Sequence, residues 1–117
     1  MIVYLSGPMS GIEDDNFPAF KAAARALRML GYTVVNPSEF DTDVDGLSER
    51  SRWVKFLKAD IKALMDCDGI VMLPGWEKSK GAQLEHYNAV ALDLVVMTLE
   101  EAVLQADERF MLEPAHA

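Results

Sequence analysis

Two carboxylates lie on predicted helices at positions where apolar side chains are expected. Asp60 follows Leu57 by three residues and precedes Leu64 by four, so it shares the apolar stripe of its helix. Glu85 falls one turn into a later helix, on a stripe with Ala89. A carboxylate on such a stripe is either paired or functional. The alternative for Glu85 is a first-turn glutamate that merely complements the helix dipole.

A glycine-containing loop follows the first apolar run and Tyr4. It reads Ser-Gly-Pro-Met-Ser-Gly and includes Gly7, Ser10 and Gly11. Two glycines let the backbone approach a ligand closely and expose amide groups, although a plain tight turn is an equally good interpretation. The loop matches neither the dinucleotide-binding pattern nor a P-loop.

A second loop, Trp-Glu-Lys-Ser-Lys-Gly-Ala, leads into the helix that carries Glu85. Ser79, Gly81 and the amides that follow them lie at the start of that helix, where free N–H groups and the helix dipole favour an anion. Trp76 is placed either to stack on a flat ligand or to cover an edge of the core. The loop therefore predicts a site for a small anionic ligand.

The elements that would position these residues alternate between strand and helix. Apolar runs predict strands at 2–5, 32–35, 70–73 and 94–97, and helical spacing predicts helices at 17–30, 51–65, 81–92 and 99–105. Asn16 is the predicted N-cap of the first helix, and the residues from Glu113 onward are expected to fray. Continuously apolar strands indicate a parallel sheet with helices on both faces. We predict an α/β, three-layer αβα sandwich of four or five parallel strands, flavodoxin-like or Rossmann-like, with the first strand central.

Ligands of such sheets bind at the carboxyl ends of the strands, where both loops lie. Asp60 is difficult to place there, because its helix runs away from that edge and a straight helix puts Asp60 roughly 13 Å along from Ser51. We therefore expect either a break near Lys58 or an Asp60 deep beneath the pocket. Asp68 precedes the third strand at the opposite end of the sheet and is predicted to be structural.

Composition narrows the class of protein. The chain has 117 residues, which predicts a single domain over 1–117, and its formal net charge of −8 argues against a duplex nucleic acid partner. The lone Cys67 is predicted to pack in the core of a protein from a reducing compartment. No basic leader and no apolar run of about 20 residues occurs, so we expect a cytoplasmic protein with no membrane partner. His86 and His116 are isolated, and no metal is predicted.

Four motifs follow one another along the chain. They are Tyr4 at the end of the first strand, Gly7-Pro8-Met9-Ser10-Gly11, Asp60 eight residues before Asp68, and Ser79-x-Gly81-x-x-x-Glu85. Together they resemble the nucleoside 2-deoxyribosyltransferase superfamily. In length and motif the chain is most similar to the 2'-deoxynucleoside 5'-monophosphate N-hydrolases and to a family of short, largely uncharacterised bacterial and phage proteins. The resemblance covers the chain from Tyr4 to about Ala91.

The resemblance implies a role for each motif residue. Glu85 would attack the anomeric carbon of the sugar, and Tyr4 would hold its carboxylate in line. Asp60 would protonate or steer the departing base, or bind a sugar hydroxyl. Ser79 and Gly81 would receive the 5'-phosphate. The chemistry is that of a retaining glycosidase, and enzymes of this kind need no metal or cofactor.

The chain departs from the hydrolases in its first loop, where they carry an arginine and this sequence has Met9-Ser10. Lys78 or Lys80 is the expected replacement. The resemblance also implies a site completed across a subunit boundary. A homodimer or larger homo-oligomer is further predicted from the second helix, whose apolar residues exceed what one sheet face can cover; they are Trp53, Val54, Phe56 and Leu57.

Two functions remain open from the sequence. The first is hydrolysis or transfer at the N-glycosidic bond of a nucleoside 5'-monophosphate, with Glu85, Asp60 and Tyr4 as catalytic residues and a nucleotide as the small-molecule partner. The second is a module that binds or sequesters a nucleotide without turnover. Intact Tyr4, Asp60 and Glu85 favour catalysis, and the missing arginine favours binding.

Overall fold

Four short parallel strands form the sheet of the computed structural model, which describes residues 1–112 and the side chains of residues 1–106. They are β1 (Ile2–Ser6), β2 (Thr33–Val35), β3 (Gly69–Met72) and β4 (Val95–Thr98). Their order is β2-β1-β3-β4, so β1 and β3 are central. In the register of the sheet Tyr4 lies between Val35 and Ile70.

Four helices cover the two faces of the sheet: α1 (Phe17–Met29), α2 (Glu49–Leu64), α3 (Lys80–Ala91) and α4 (Leu99–Leu112). Buried residues of α1 and α4, including Phe20 and Ala102, pack on one face with Val3 and Leu5. On the other face Tyr4 packs with residues of α2 and α3. The predicted α/β sandwich with a central first strand is therefore confirmed, because alternate residues of β1 enter opposite cores.

The start of α2 differs from the prediction. The helix begins at Glu49 rather than at Ser51, because the Ser48 side chain accepts a hydrogen bond from the Ser51 amide and caps it. From there α2 continues without interruption to Leu64. The expected break near Lys58 is wrong.

Helix α1 begins at Phe17 as predicted, but the Asn16 side chain does not cap it. Asn16 precedes the helix, but it has a left-handed φ of 61° and its side chain makes no cap hydrogen bond. Its Nδ2 instead donates to the Pro8 carbonyl at 2.9 Å. Asn16 thus ties the loop after β1 to the start of α1. The predicted fraying from Glu113 lies outside the described residues.

Candidate active site

A cavity of about 720 Å³ opens where the carboxyl ends of β1 and β3 meet the first turns of α1 and α3 and the inner side of α2. Its volume is in the range of sites for small organic ligands. Tyr4, Asp60, Ser79 and Glu85 all line it. The structure therefore brings together four residues that the sequence spreads over more than two thirds of the chain.

Glu85 is the buried carboxylate of this cavity, with 5% of its surface exposed. The Tyr4 hydroxyl donates to its Oε2 at 2.6 Å, and the Ser6 hydroxyl donates to its Oε1 at 2.6 Å. Both donors come from β1, where residues two apart point to the same face of the sheet. Each carboxylate oxygen of Glu85 thus has its own hydroxyl donor.

Burial raises the pKa of Glu85, while the hydrogen bonds from Ser6 and Tyr4 act in the opposite direction by stabilising the charged form. The pKa of Tyr4 is raised well above its usual value, first by burial and then by the Glu85 and Asp60 carboxylates. Tyr4 therefore stays a neutral hydroxyl that donates hydrogen bonds at physiological pH.

Asp60 reaches the cavity from the unbroken α2 as one of its half-buried lining residues, rather than from deep beneath it. Burial, and after it the charge of Glu85, raises the pKa of Asp60 to about 7, and the nearby Tyr4 hydroxyl lowers it in part. Asp60 is consequently close to half protonated at neutral pH. Two carboxylates in one cavity with different surroundings can take different roles in proton transfer.

The first turn of α3 forms another side of the cavity. The Ser79 hydroxyl oxygen accepts a hydrogen bond from the Ala82 amide as the N-cap of the helix, which leaves the hydroxyl proton of Ser79 available for a ligand. A Cβ added at Gly81 would have no heavy atom within 4 Å. Lys78 and Lys80 line the cavity beside them. This turn offers amides, a hydroxyl and two cations to an anion.

Aromatic side chains form much of the remaining wall, namely Phe17, Phe40, Trp53 and Phe56. Lys80 Nζ lies 5.3 Å from the centroid of the Trp53 ring, which links this wall to the start of α3. Trp53, Phe56 and Leu57 of α2 thus line the cavity. Three of the apolar residues from which a homo-oligomer was predicted therefore border the cavity, and the homo-oligomer itself stays a prediction.

Of the binding residues predicted in the first loop and at Trp76, some line the cavity and others do not. Gly7 and Ser10 line the cavity, whereas Gly11 and Trp76 are not among its lining residues. Trp76 stacks on His86 with ring centroids 4.4 Å apart and packs against the buried cluster beneath α3. Gly7 passes so close to the core that an added Cβ would lie 2.9 Å from the Leu73 Cβ.

Ser6 is the hydrogen-bond partner of Glu85 that the sequence interpretation missed. The signal was present, because Ser6 follows Tyr4 by two residues in a strand and must therefore share its face. The serine was instead assigned to the turn with Gly7 and Pro8. Its place at the end of β1 is what brings the hydroxyl to Glu85.

Two residues interpreted as structural lie outside this cavity. The Asp68 carboxylate accepts a hydrogen bond from the Ile2 amide at 2.8 Å and joins β1 to the turn before β3. Cys67 is buried, and burial followed by the charges of Asp66 and Asp68 raises the pKa of its thiol to about 11.

Within the described part of the chain, no helix is long and apolar enough to cross a membrane, and no group of three or more His, Cys, Asp or Glu residues could hold a metal ion.

Comparison with known proteins agrees with this architecture. Residues 1–98 match the family described as Domain of unknown function (DUF4406), and the chain belongs to that family. No curated protein matches it. Among solved structures it is similar to a 2-deoxyribosyltransferase from the psychrotolerant bacterium Bacillus psychrosaccharolyticus, with a TM-score of 0.64 and 25% identity over 84% of this chain and 71% of that one. This likeness supports the superfamily suggested by the sequence motifs, while the closer relation to the monophosphate N-hydrolases stays a prediction.

Proposed function

We propose that this protein cleaves the N-glycosidic bond of a nucleoside 5'-monophosphate and passes the sugar to water or to a second base. One observation carries the proposal: both oxygens of the buried Glu85 accept hydroxyl hydrogen bonds in a cavity that also holds Asp60. The likeness to a 2-deoxyribosyltransferase supports glycosyl transfer as the class of reaction.

In the first step a carboxylate oxygen of Glu85 attacks the anomeric carbon of the sugar. The bond from that carbon to the base nitrogen breaks, and its electron pair leaves with the base. Asp60, close to half protonated at neutral pH, donates the proton that the departing base takes up. The product is a free base and a glycosyl ester on Glu85, formed through an oxocarbenium-like transition state.

In the second step water or another base attacks the same carbon and releases the Glu85 carboxylate. The ionised Asp60 takes the proton that the attacking molecule loses, which returns both carboxyl groups to their starting forms. Tyr4 remains the neutral donor that orients Glu85 throughout, since its raised pKa keeps its proton in place.

The 5'-phosphate is assigned to the first turn of α3. The Ser79 hydroxyl and the amides near Gly81 can donate to phosphate oxygens, and Lys78 and Lys80 supply positive charge in a chain that is otherwise strongly acidic. The aromatic wall takes the base, because a planar ring gains most from contact with other rings.

We further propose that two copies of the chain associate through α3 and β4. Exposed apolar side chains continue along the helix and onto this edge strand; they are Leu84, Tyr87, Val90, Leu92, Val95 and Val96. From Gly81 to Leu92 the one Asp, Glu, Lys or Arg side chain is the buried Glu85, and His86 stacks on Trp76. Depletion of charge marks the core of protein interfaces, and a neutral face lets two chains of like net charge approach.

The function is tested with a panel of purine and pyrimidine nucleoside 5'-monophosphates and the matching nucleosides, each with ribose or 2-deoxyribose. Chromatography follows the free base, with and without a second base as acceptor. We expect base release from at least one monophosphate, and slower release from its nucleoside. Tight binding of a monophosphate without release would contradict catalysis and favour the binding module.

A further inference from the structure

Ser6 has a fixed place next to the proposed nucleophile. It is the last residue of β1, a central strand, and only 1% of its surface is exposed. Its backbone carbonyl accepts a hydrogen bond from the Leu73 amide at 2.8 Å, while its side chain donates to Glu85 Oε1. The hydroxyl is therefore held by a rigid strand rather than by a loop.

We propose that Ser6 is a positioning residue that fixes the plane of the Glu85 carboxylate and keeps it ionised, a role that rests on the proposed function. Two donors on opposite oxygens stop rotation of the carboxylate about its last side-chain bond. Each short hydrogen bond also stabilises the charged form of a group that burial disfavours. Without Ser6, one oxygen of Glu85 would be buried without this donor.

Ser6 and Tyr4 differ in what else they contact. The Tyr4 hydroxyl lies near both carboxylates and acts on the pKa of Asp60 as well as on that of Glu85. Ser6 acts on Glu85. If Oε2 is the oxygen that attacks the sugar, Oε1 becomes the carbonyl oxygen of the ester, and the Ser6 hydroxyl can keep donating to it. Ser6 is thus the donor dedicated to the nucleophile.

Other charged groups also face the cavity around Glu85, and a pH experiment must account for them. They are Asp60 from α2, Lys78 and Lys80 at the start of α3, and Asp15 from the loop before α1. Removing Ser6 changes none of these charges. Because the Glu85 charge also raises the pKa of Asp60, a change in the pH dependence of a Ser6 variant reports on this carboxyl pair, and the titration of Glu85 itself must be followed separately.

The kinetic test compares Ser6→Ala, which removes the donor, with Ser6→Thr, which keeps it. Ser38→Ala is the matched control, because the Ser38 hydroxyl oxygen is buried without a hydrogen-bond partner and is outside the cavity. We expect Ser6→Ala to lower kcat by about tenfold to a hundredfold with little change in KM, and to move the acidic limb of the pH profile upward. Ser6→Thr should recover part of the loss. An unchanged kcat, or a loss confined to KM, would overturn the inference.

A second measurement does not depend on turnover. Carbon-13 NMR follows the titration of the Glu85 carboxyl carbon, assigned by its absence in Glu85→Gln. The midpoint should move to higher pH in Ser6→Ala and stay in place in Ser38→Ala. If Ser6→Ala does not fold, Ser6→Cys replaces the hydroxyl with a weak donor of similar size.

The NMR titration and the base-release assay distinguish failure of the Ser6 positioning role from failure of the proposed function. An unchanged Glu85 midpoint in the Ser6 variant overturns the positioning role alone. A wild-type protein that releases no base from any nucleotide overturns the proposed function, and the positioning role with it.

Discussion

The Tyr4 hydroxyl donates a 2.6 Å hydrogen bond to the Glu85 carboxylate across 81 residues of sequence. The donor belongs to a central strand and the acceptor to the second turn of α3, so the bond joins the sheet to the helix that packs on it. Ser6 adds a parallel bond from the same strand. Glu85 is therefore held by two donors on a central, buried strand, which suits a group whose position decides a reaction rate.

The first prediction concerns Glu85→Gln. The substitution keeps the shape of the side chain but removes its negative charge, so base release should fall by several orders of magnitude. Folding should survive, because the change removes a buried charge. A base-release assay and a thermal melt measure the two effects. Glu77→Gln is the control, since Glu77 is exposed and outside the cavity. Unchanged turnover in Glu85→Gln would exclude the nucleophile role.

The second prediction separates phosphate recognition from helix capping. Ser79→Asp keeps a good N-cap for α3, so stability should change by less than about 1 kcal/mol. The added negative charge should repel a phosphate and lower base release from the monophosphate by about tenfold or more, while release from the nucleoside changes little. Ser48→Asp, at the N-cap of α2, is the matched control. Equal losses on nucleotide and nucleoside would place the phosphate elsewhere.

The third prediction is a pH dependence of stability caused by Asp60. Its pKa is about 7 in the folded chain, above its ordinary value of 3.8, so the folded protein binds this proton more tightly than the unfolded one. The stability that Asp60 contributes is therefore full below about pH 4 and is lost as the pH rises through about 7. Asp60→Asn should stabilise the protein by roughly 2–4 kcal/mol above that range.

Urea denaturation at a series of pH values measures this difference. The advantage of Asp60→Asn over wild type should shrink steadily towards pH 4. Asp66→Asn, which changes an exposed carboxylate after α2, should show no such trend. A gain from Asp60→Asn that is the same at every pH would mean that ionisation of Asp60 is not its source.

The fourth prediction concerns association. Tyr87 is 71% exposed in the middle of the neutral face of α3, so Tyr87→Glu should place two like charges in a symmetric interface and give monomers. Leu104→Glu is the control, because Leu104 is 53% exposed on α4, which packs on the opposite face of the sheet. Light scattering at protein concentrations of tens of micromolar measures the molar mass and so distinguishes monomer from dimer. A monomeric wild-type protein, or a Tyr87→Glu variant that stays dimeric, would contradict the proposed interface.

The sequence by itself determined the elements and the edge of the sheet where the site lies. Continuously apolar strands and helical spacing are local patterns, and the register of each side chain on its own strand or helix follows from them. That is why Glu85 and the proposed anion-binding turn at Ser79 were predicted at the same helix start.

Only the tertiary structure decided how the elements face one another. Periodicity states which side of α2 is apolar, but not the angle at which that helix crosses the sheet. In the structure the unbroken α2 presents Asp60, Trp53 and Phe56 to the cavity, so residues that suggested a dimer surface form a wall of the site. Trp76 is the opposite case: it was predicted as a binding residue, but it stacks on His86 and packs beside α3. The distances that matter most, from Tyr4 and Ser6 to Glu85, depend on packing between segments that are far apart in the chain, and no local pattern encodes them.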